Sequence, residues 1–187
     1  FLSEPARAAL LVSRTEEELQ REETEMAEKG IAFYSREHEA YPARLKEIHH
    51  PPCGLFVRGR LPHFEKEKKE VQAAAVVGAR WASHAGLSLA KETAGALAEE
   101  GIPVISGMAS GIDGAAQEAA LMAGGESYAV LGCGPDICYP RHNAGLYRML
   151  ENKGGLLSEY PPGTPPVAWH FPYRNRIISG LSDAVLV

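Results

Sequence analysis

At 187 residues the chain is long enough for one good-sized α/β unit with a smaller appendage. Its 45% hydrophobic against 23% charged residues is a globular balance that excludes a disordered chain. The net charge of -5 weighs against nucleic acid only weakly, because the charge is unevenly placed.

No apolar run approaches the roughly 20 residues that a bilayer-spanning helix needs. Phe1-Leu2-Ser3-Glu4-Pro5 lacks the basic-then-apolar order of a secretory signal. With no initiator Met, the chain is expected to begin inside a longer parent protein. Cys53, Cys133 and Cys138 are too few and too irregularly spaced for a zinc site, so reduced thiols in a cytosolic protein are expected.

From Thr15 to Lys29 the sequence predicts a surface helix. Thr15 and Glu18 form a capping box, and Gly30 stands where a left-handed terminus is expected. Between Glu16 and Glu28 there are seven Glu and one Arg, which reads as a solvated face. Ile31 to Tyr34 is a short strand, Tyr41-Pro42 opens a short helix, and Pro51-Pro52 ends it before a second strand at Leu55-Phe56-Val57. The charged run Glu65 to Glu70 marks a connection, and a domain boundary is placed near Val71. This divides the chain into an N-terminal helical segment (1–40), a strand/helix connection extending the core (41–70), and a Rossmann-like domain (71–187) incomplete at its C-terminus.

Beyond Val71, short continuous apolar strands alternate with helices. Strands are predicted at Ala73–Val77, Val104-Ile105, Tyr128–Leu131, Leu156-Leu157 and Ala184–Val187. Helices are predicted at Ser83–Glu100, Ile112–Ala123, Asn143–Asn152 and Arg174–Leu181, with Gly154-Gly155 closing the third. Such strands are buried on both faces, so the fold class is α/β: a doubly wound, mostly parallel, extended Rossmann-like sheet. The last strand looks central, and a continuation beyond Val187 is expected to cover its apolar edge.

Four strand-end loops carry the candidate chemistry. In Gly78-Ala79-Arg80-Trp81-Ala82-Ser83, glycine permits the turn, Ser83 can cap the next helix, and Arg80 suits a phosphate. Neither G-x-G-x-x-G nor Walker A is present, so no cofactor is expected. Ser106-Gly107-Met108-Ala109-Ser110-Gly111-Ile112-Asp113 allows close backbone approach at a second helix start, with Asp113 as a cap or dipole partner rather than a catalyst. The long loop from Gly132 to Asn143 supplies Arg141 and Asn143, while Cys133 reads as a small buried thiol. Finally, Arg174 and Arg176 bracket Asn175 near a helix start, where the dipole disfavours cations. Either an anion or an internal partner, Glu159 or Asp113, would compensate.

Several ordered strings resemble the DprA/Smf family of DNA-processing proteins. They are Tyr41-Pro42-x-x-Leu45, Pro51-Pro52-x-x-Leu55-Phe56-x-x-Gly59, Val76-Val77-Gly78-Ala79-Arg80, Ser106 to Asp113, Leu131 to Gly134 with Tyr139-Pro140, Leu157-Ser158-Glu159, and Phe171 to Ile178. The resemblance implies single-stranded DNA binding, loading of the RecA recombinase in natural transformation, and homodimerisation. It places DNA contacts at Arg80 and Arg141, with the Phe171–Arg176 string beside the same pocket. The sequence departs from the family at Gln117, Ala85 and Ala79, where His, an aromatic and Ser are commoner.

The expectation is a cytoplasmic DNA-binding protein with no chemistry of its own and no membrane partner. Its binding residues would be Gly78, Arg80, Ser106, Gly107, Gly111, Arg141, Asn143, Arg174, Asn175 and Arg176, with loop amides adding neutral contacts. The alternative is a nucleotide-binding or phosphoribohydrolase-like Rossmann protein. Its Pro-Gly-Gly-x-Gly-Thr-x-x-Glu loop is missing, Pro162-Gly163-Thr164 being the nearest string.

Overall fold

The computed structural model describes residues 15–64 and 71–187. In chain order, α1 (Glu16–Glu28), β1 (Ile31–Ser35), a 3-10 turn (Ala43–Lys46) and β2 (Gly54–Gly59) come first. The alternating part follows: β3 (Ala74–Val76), α2 (His84–Glu99), β4 (Val104–Ser106), α3 (Ile112–Met122), β5 (Ser127–Leu131), a second 3-10 turn (Arg141–Asn143), α4 (Ala144–Lys153), β6 (Gly154–Ser158), α5 (His170–Gly180) and β7 (Ala184–Leu186). The N-terminal pentapeptide and the Glu65–Glu70 run lie outside the described residues.

Local chemistry sets the helix ends. The capping box at α1 forms as the sequence predicts: the Thr15 amide donates to Glu18 Oε2 at 2.8 Å, and the Glu18 amide to Thr15 Oγ1 at 3.3 Å. Gly30 then takes the left-handed conformation, with φ of +67°. Ser83 caps α2 by accepting from the Gly86 amide at 3.1 Å.

All seven strands join one sheet in the order β1-β2-β6-β5-β4-β3-β7. The five from β6 to β7 run parallel, while β2 is antiparallel to both β6 and β1. Because side chains alternate along each strand, the sheet separates two cores. Ala73, Ala75, Ile105, Val130 and Leu157 meet Ile177 and Ile178 of α5 and Leu181 at its C-terminal cap, together with Tyr41 and Leu45. On the other face, Val76 and Val104 meet the alanine stripe Ala90, Ala94 and Ala98 of α2 and Ala116 and Ala120 of α3. Leu131 and Leu156 there meet Leu146, Tyr147 and Leu150 of α4.

From β3 the chain steps one way across the sheet to β4, β5 and β6. Then α5 crosses on the opposite face and places β7 on the far side of β3. The strand order therefore reverses at β3. In open α/β sheets, the crevice beyond the carboxyl ends of the strands at such a point is where ligands bind.

The structure adds three features to the sequence reading. Strands β1 and β2, which precede Val71, extend the same sheet as the later strands, and Arg44 reaches across to the C-terminal part. Its Nη1 donates to the Leu181 carbonyl at 3.0 Å and its Nη2 to Asp183 Oδ1 at 3.1 Å. Gly154 caps the C-terminus of α4 and, with Gly155, begins β6. A Cβ on Gly154 would sit 1.7 Å from the Ser127 carbonyl oxygen, and one on Gly155 2.0 Å from that of Arg60. Close strand approach is what these glycines serve. Lastly, β7 pairs in parallel with β3, and its side chains are exposed among the described residues.

Gly154→Ala is expected to lower the urea midpoint at unchanged m-value, costing about 1–3 kcal/mol through overpacking. A second expectation concerns Asp183, which accepts from the amides of Gln72 and Ala73 and from Arg44. Burial opposes its ionisation, but the Gln72 amide, the Arg44 guanidinium and the Ala73 amide outweigh it and hold the carboxyl below its usual range. A depressed carboxylate stabilises the fold above its unfolded value and loses that contribution as pH falls through its folded value. The stability gap between wild type and Asp183→Asn should be widest at neutral pH and close progressively below about pH 4. Parallel stability curves for the two proteins from pH 7 to pH 3 would contradict this.

Candidate nucleic-acid interface

The loops following β3, β4 and β5 and the start of α5 meet at the carboxyl rim of the sheet. Asp113, in the first turn of α3, is buried and does not cap its own helix. Instead its Oδ1 accepts from the Gly78 amide at 3.2 Å and its Oδ2 from the Gly107 amide at 3.1 Å. One carboxylate thus ties the turn after β3 to the turn after β4. Gly111 completes the joint. It has φ of +80°, and a Cβ there would lie 2.2 Å from the Ala79 carbonyl oxygen, which accepts from the Ile112 amide at 3.2 Å.

This changes the role expected of the glycine loops. The Gly78 and Gly107 amides are not open to a phosphate, because Asp113 already occupies them. Anion attraction at the rim falls to cationic side chains.

Arg174 and Arg176 also turn inward. The helix carrying them begins at His170, so Pro172 sits in its first turn, where proline is tolerated, and Arg174 lies beyond that turn. Arg174 is buried; its Nη1 donates to the Gly107 carbonyl at 3.0 Å and to the Val130 carbonyl, and its Nε to Asn175 Oδ1 at 2.9 Å. Burial lowers its pKa to about 10, Asp113 opposing that shift and Arg80 adding to it. A Cβ on Gly107 would lie 1.9 Å from Arg174 Nη2, so a side chain there would displace the guanidinium.

For Arg176 the internal partner is Glu159, gripped by Nη2 at 2.6 and 2.8 Å, while its Nε donates to the His50 carbonyl. Both arginines hold the scaffold. Ser106 does the same, donating to the Val76 carbonyl at 2.6 Å from a fully buried position.

Asn143 donates to the Met108 carbonyl at 2.9 Å and so fastens the second loop to the start of α4. His142 Nε2 lies 3.2 Å from Ser110 Oγ on the same seam. Gln117, at the position where the resemblance leads one to expect His, is fully buried with its amide satisfied. Its Oε1 accepts from the Met108 amide at 2.9 Å, and its Nε2 donates to Ser127 Oγ and the Tyr128 carbonyl, each at 3.1 Å. Cys133 is likewise a packed thiol, pushed by burial up to about 11, far from the range of a nucleophile.

Against this internally bonded background Arg80 stands out. It is exposed and makes no ion pair among the described residues. Its guanidinium carbon lies 5.4 Å from the centroid of the Phe171 ring. It lines three adjoining depressions. One contains Trp81, Lys91 and His142, another Tyr139 and Phe171, and the third Gly78, Asn175 and Val187 at the β3/β7 crevice. Arg141 is exposed in the neighbouring loop, between Pro140 and His142, which line two of these depressions.

Sequence reasoning placed Phe171 beside this pocket but gave no role to Trp81, Lys91, Tyr139 or His142. Tyr139 and Phe171 sit with ring centroids 5.5 Å apart. Leu87 and Lys91, one helical turn apart on α2, line the cleft together, a spacing that the sequence does display. Removing the central carboxylate should loosen both turns. Asp113→Ala is expected to cost at least about 1.5–3 kcal/mol and to speed hydrogen exchange at the Gly78 and Gly107 amides. Unchanged protection at those two amides would contradict the clamp.

Over residues 32–187 the chain matches the family described as DNA recombination-mediator protein A. Protein Smf of Synechocystis sp. is 39% identical over 163 residues, covering 87% of this chain and 41% of the relative. The X-ray structure of DNA processing protein A from Streptococcus pneumoniae superposes with a TM-score of 0.74 at 36% identity, covering 91% of this chain and 59% of that one. The Helicobacter pylori protein, solved to describe its single-stranded DNA binding mode, gives 0.70 at 27% identity, covering 83% and 67%. The chain spans about half the length of the curated relatives it matches. With its sheet order, its strand-end turns and this match agreeing across five-sixths of its length, the chain belongs to the DprA/Smf family of DNA-processing proteins.

Proposed function

We propose that this chain binds single-stranded DNA along the Arg80 rim and that, within its longer parent, it protects the strand and loads RecA recombinase in natural transformation. In this reading it acts in the cytoplasm as a homodimer and as a binding protein rather than an enzyme. The observation that carries the DNA assignment is Arg80: an exposed guanidinium that pairs with no carboxylate among the described residues, at the mouth of the crevice where the strand order reverses. The binding mode described for the Helicobacter pylori relative supports the same reading.

A guanidinium presents paired donors suited to phosphate oxygens, and phosphate contacts position a strand without reading its sequence. Arg141 adds a second cation in the adjoining loop. Arg174, Arg176, Ser106, Gly107 and Asp113 serve by holding the turns in place. The string nearest to a phosphoribohydrolase loop offers little support for the enzyme alternative. The Gly163 amide there donates to Asp136 Oδ1 at 2.8 Å, inside a turn closed by Thr164 on the Pro161 carbonyl.

Anisotropy titrations of a labelled oligo-dT, repeated over a range of salt, test the reading. Affinity should fall with a log–log slope of roughly -0.7 per phosphate neutralised. Arg80→Glu should weaken binding by about 10- to 150-fold and make the slope shallower, with Arg141→Glu acting in the same direction. A flat salt response, or full affinity in Arg80→Glu, would overturn the assignment.

A further inference from the structure

Trp81 is 97% exposed at the turn after β3, next in sequence to Arg80, and its indole stacks on no other ring among the described residues. A tryptophan left almost entirely in water forgoes the burial that anchors most aromatic side chains. It also lines a cleft of about 470 Å³, within the range of roughly 300–1,000 Å³ usual for ligand-holding depressions.

The composition of that cleft indicates what it would accept. Gly111, Gly114 and Ala115 contribute little side-chain bulk, leaving room for a flat group. Arg80 and Lys91 face a single acid, Glu118, so the charge balance favours an anionic ligand. A planar apolar wall, space beside it and a cation next to both are the parts from which sequence-tolerant single-strand sites are built.

We propose that Trp81 is a stacking platform, and that this cleft takes one unstacked base of a single strand whose adjoining phosphate is held at Arg80. The inference rests on the single-strand reading above and adds a base contact to what is there a phosphate contact. It makes affinity depend on the presence of bases, which guanidinium–phosphate pairing alone does not. Because the indole is exposed, its removal leaves the packed core unchanged.

The test compares the full chain with its Trp81→Ala, Trp81→Phe and Arg80→Glu variants on two probes: oligo-dT and an abasic strand of equal length and charge. Trp81→Ala should lose about 5- to 150-fold in affinity for oligo-dT while binding the abasic strand as wild type does. Trp81→Phe should retain most of the affinity. In a Trp169→Phe background, where Trp81 is the one remaining tryptophan of two, oligo-dT should quench the fluorescence and the abasic strand should not.

If Trp81→Ala binds oligo-dT normally while Arg80→Glu does not, the platform is refuted and the phosphate site stands. Equal loss on both probes would also refute it, by showing a disturbed loop. If Trp81→Ala changes only the oligomeric state, the indole belongs to a protein contact and the platform is refuted. Full binding by both Trp81→Ala and Arg80→Glu would remove the inference and the reading beneath it together.

Discussion

One carboxylate accepts hydrogen bonds from two strand-end turns, and the geometry of the whole rim depends on it. With Oδ1 on the Gly78 amide and Oδ2 on the Gly107 amide, Asp113 sets the spacing between the loops after β3 and β4. The buried Arg174 guanidinium, to which Asp113 is electrostatically coupled, bonds the carbonyls of Gly107 and Val130 at the ends of β4 and β5. Three parallel strands are thus joined at their carboxyl ends by one anion and one cation taken out of water. A buried charge persists only where other charges and hydrogen bonds compensate its lost hydration, and here the compensating groups are the turns themselves.

This arrangement explains which groups remain to meet a ligand. Glycine turns at helix starts commonly offer amides to an external phosphate. Here Asp113 stands in for that phosphate at two of them, and Ser83 caps α2. What projects outward is side-chain chemistry: Arg80, Lys91, His142 and Arg141, with Trp81, Tyr139 and Phe171 interleaved. Cations and rings held on a rigid frame suit a flexible polyanion whose contacts vary along its length, whereas a cradle of fixed amides suits one phosphate group of fixed shape.

Much of the fold was legible in the residues. Continuous apolar strands such as Tyr128–Leu131 implied burial on both faces, and β5 is buried at every position. The caps at Thr15, Gly30 and Ser83 depend on neighbours three or four residues away, and all three formed as read. Helix α5 begins at His170, four residues before the expected Arg174, because in the first helical turn the missing N–H of Pro172 is no loss. Gly154 caps α4 as read, but its second role with Gly155, opening β6, was hidden because the backbone that requires both glycines comes from residues 60 and 127.

The amino-acid sequence by itself determined the class of fold, the family and the positions of the four strand-end loops, because periodicity, capping and ordered motifs are properties of neighbours along the chain. Only the tertiary structure decided which basic residues are free. Arg174 meets a carbonyl 67 positions away, and Arg176 meets Glu159 17 positions away and His50 at 126. Arg80 meets no carboxylate among the described residues. Whether a guanidinium is scaffold or binding site depends on what folding brings within about 3–4 Å of it, and that distance is created when the strands assemble into the sheet.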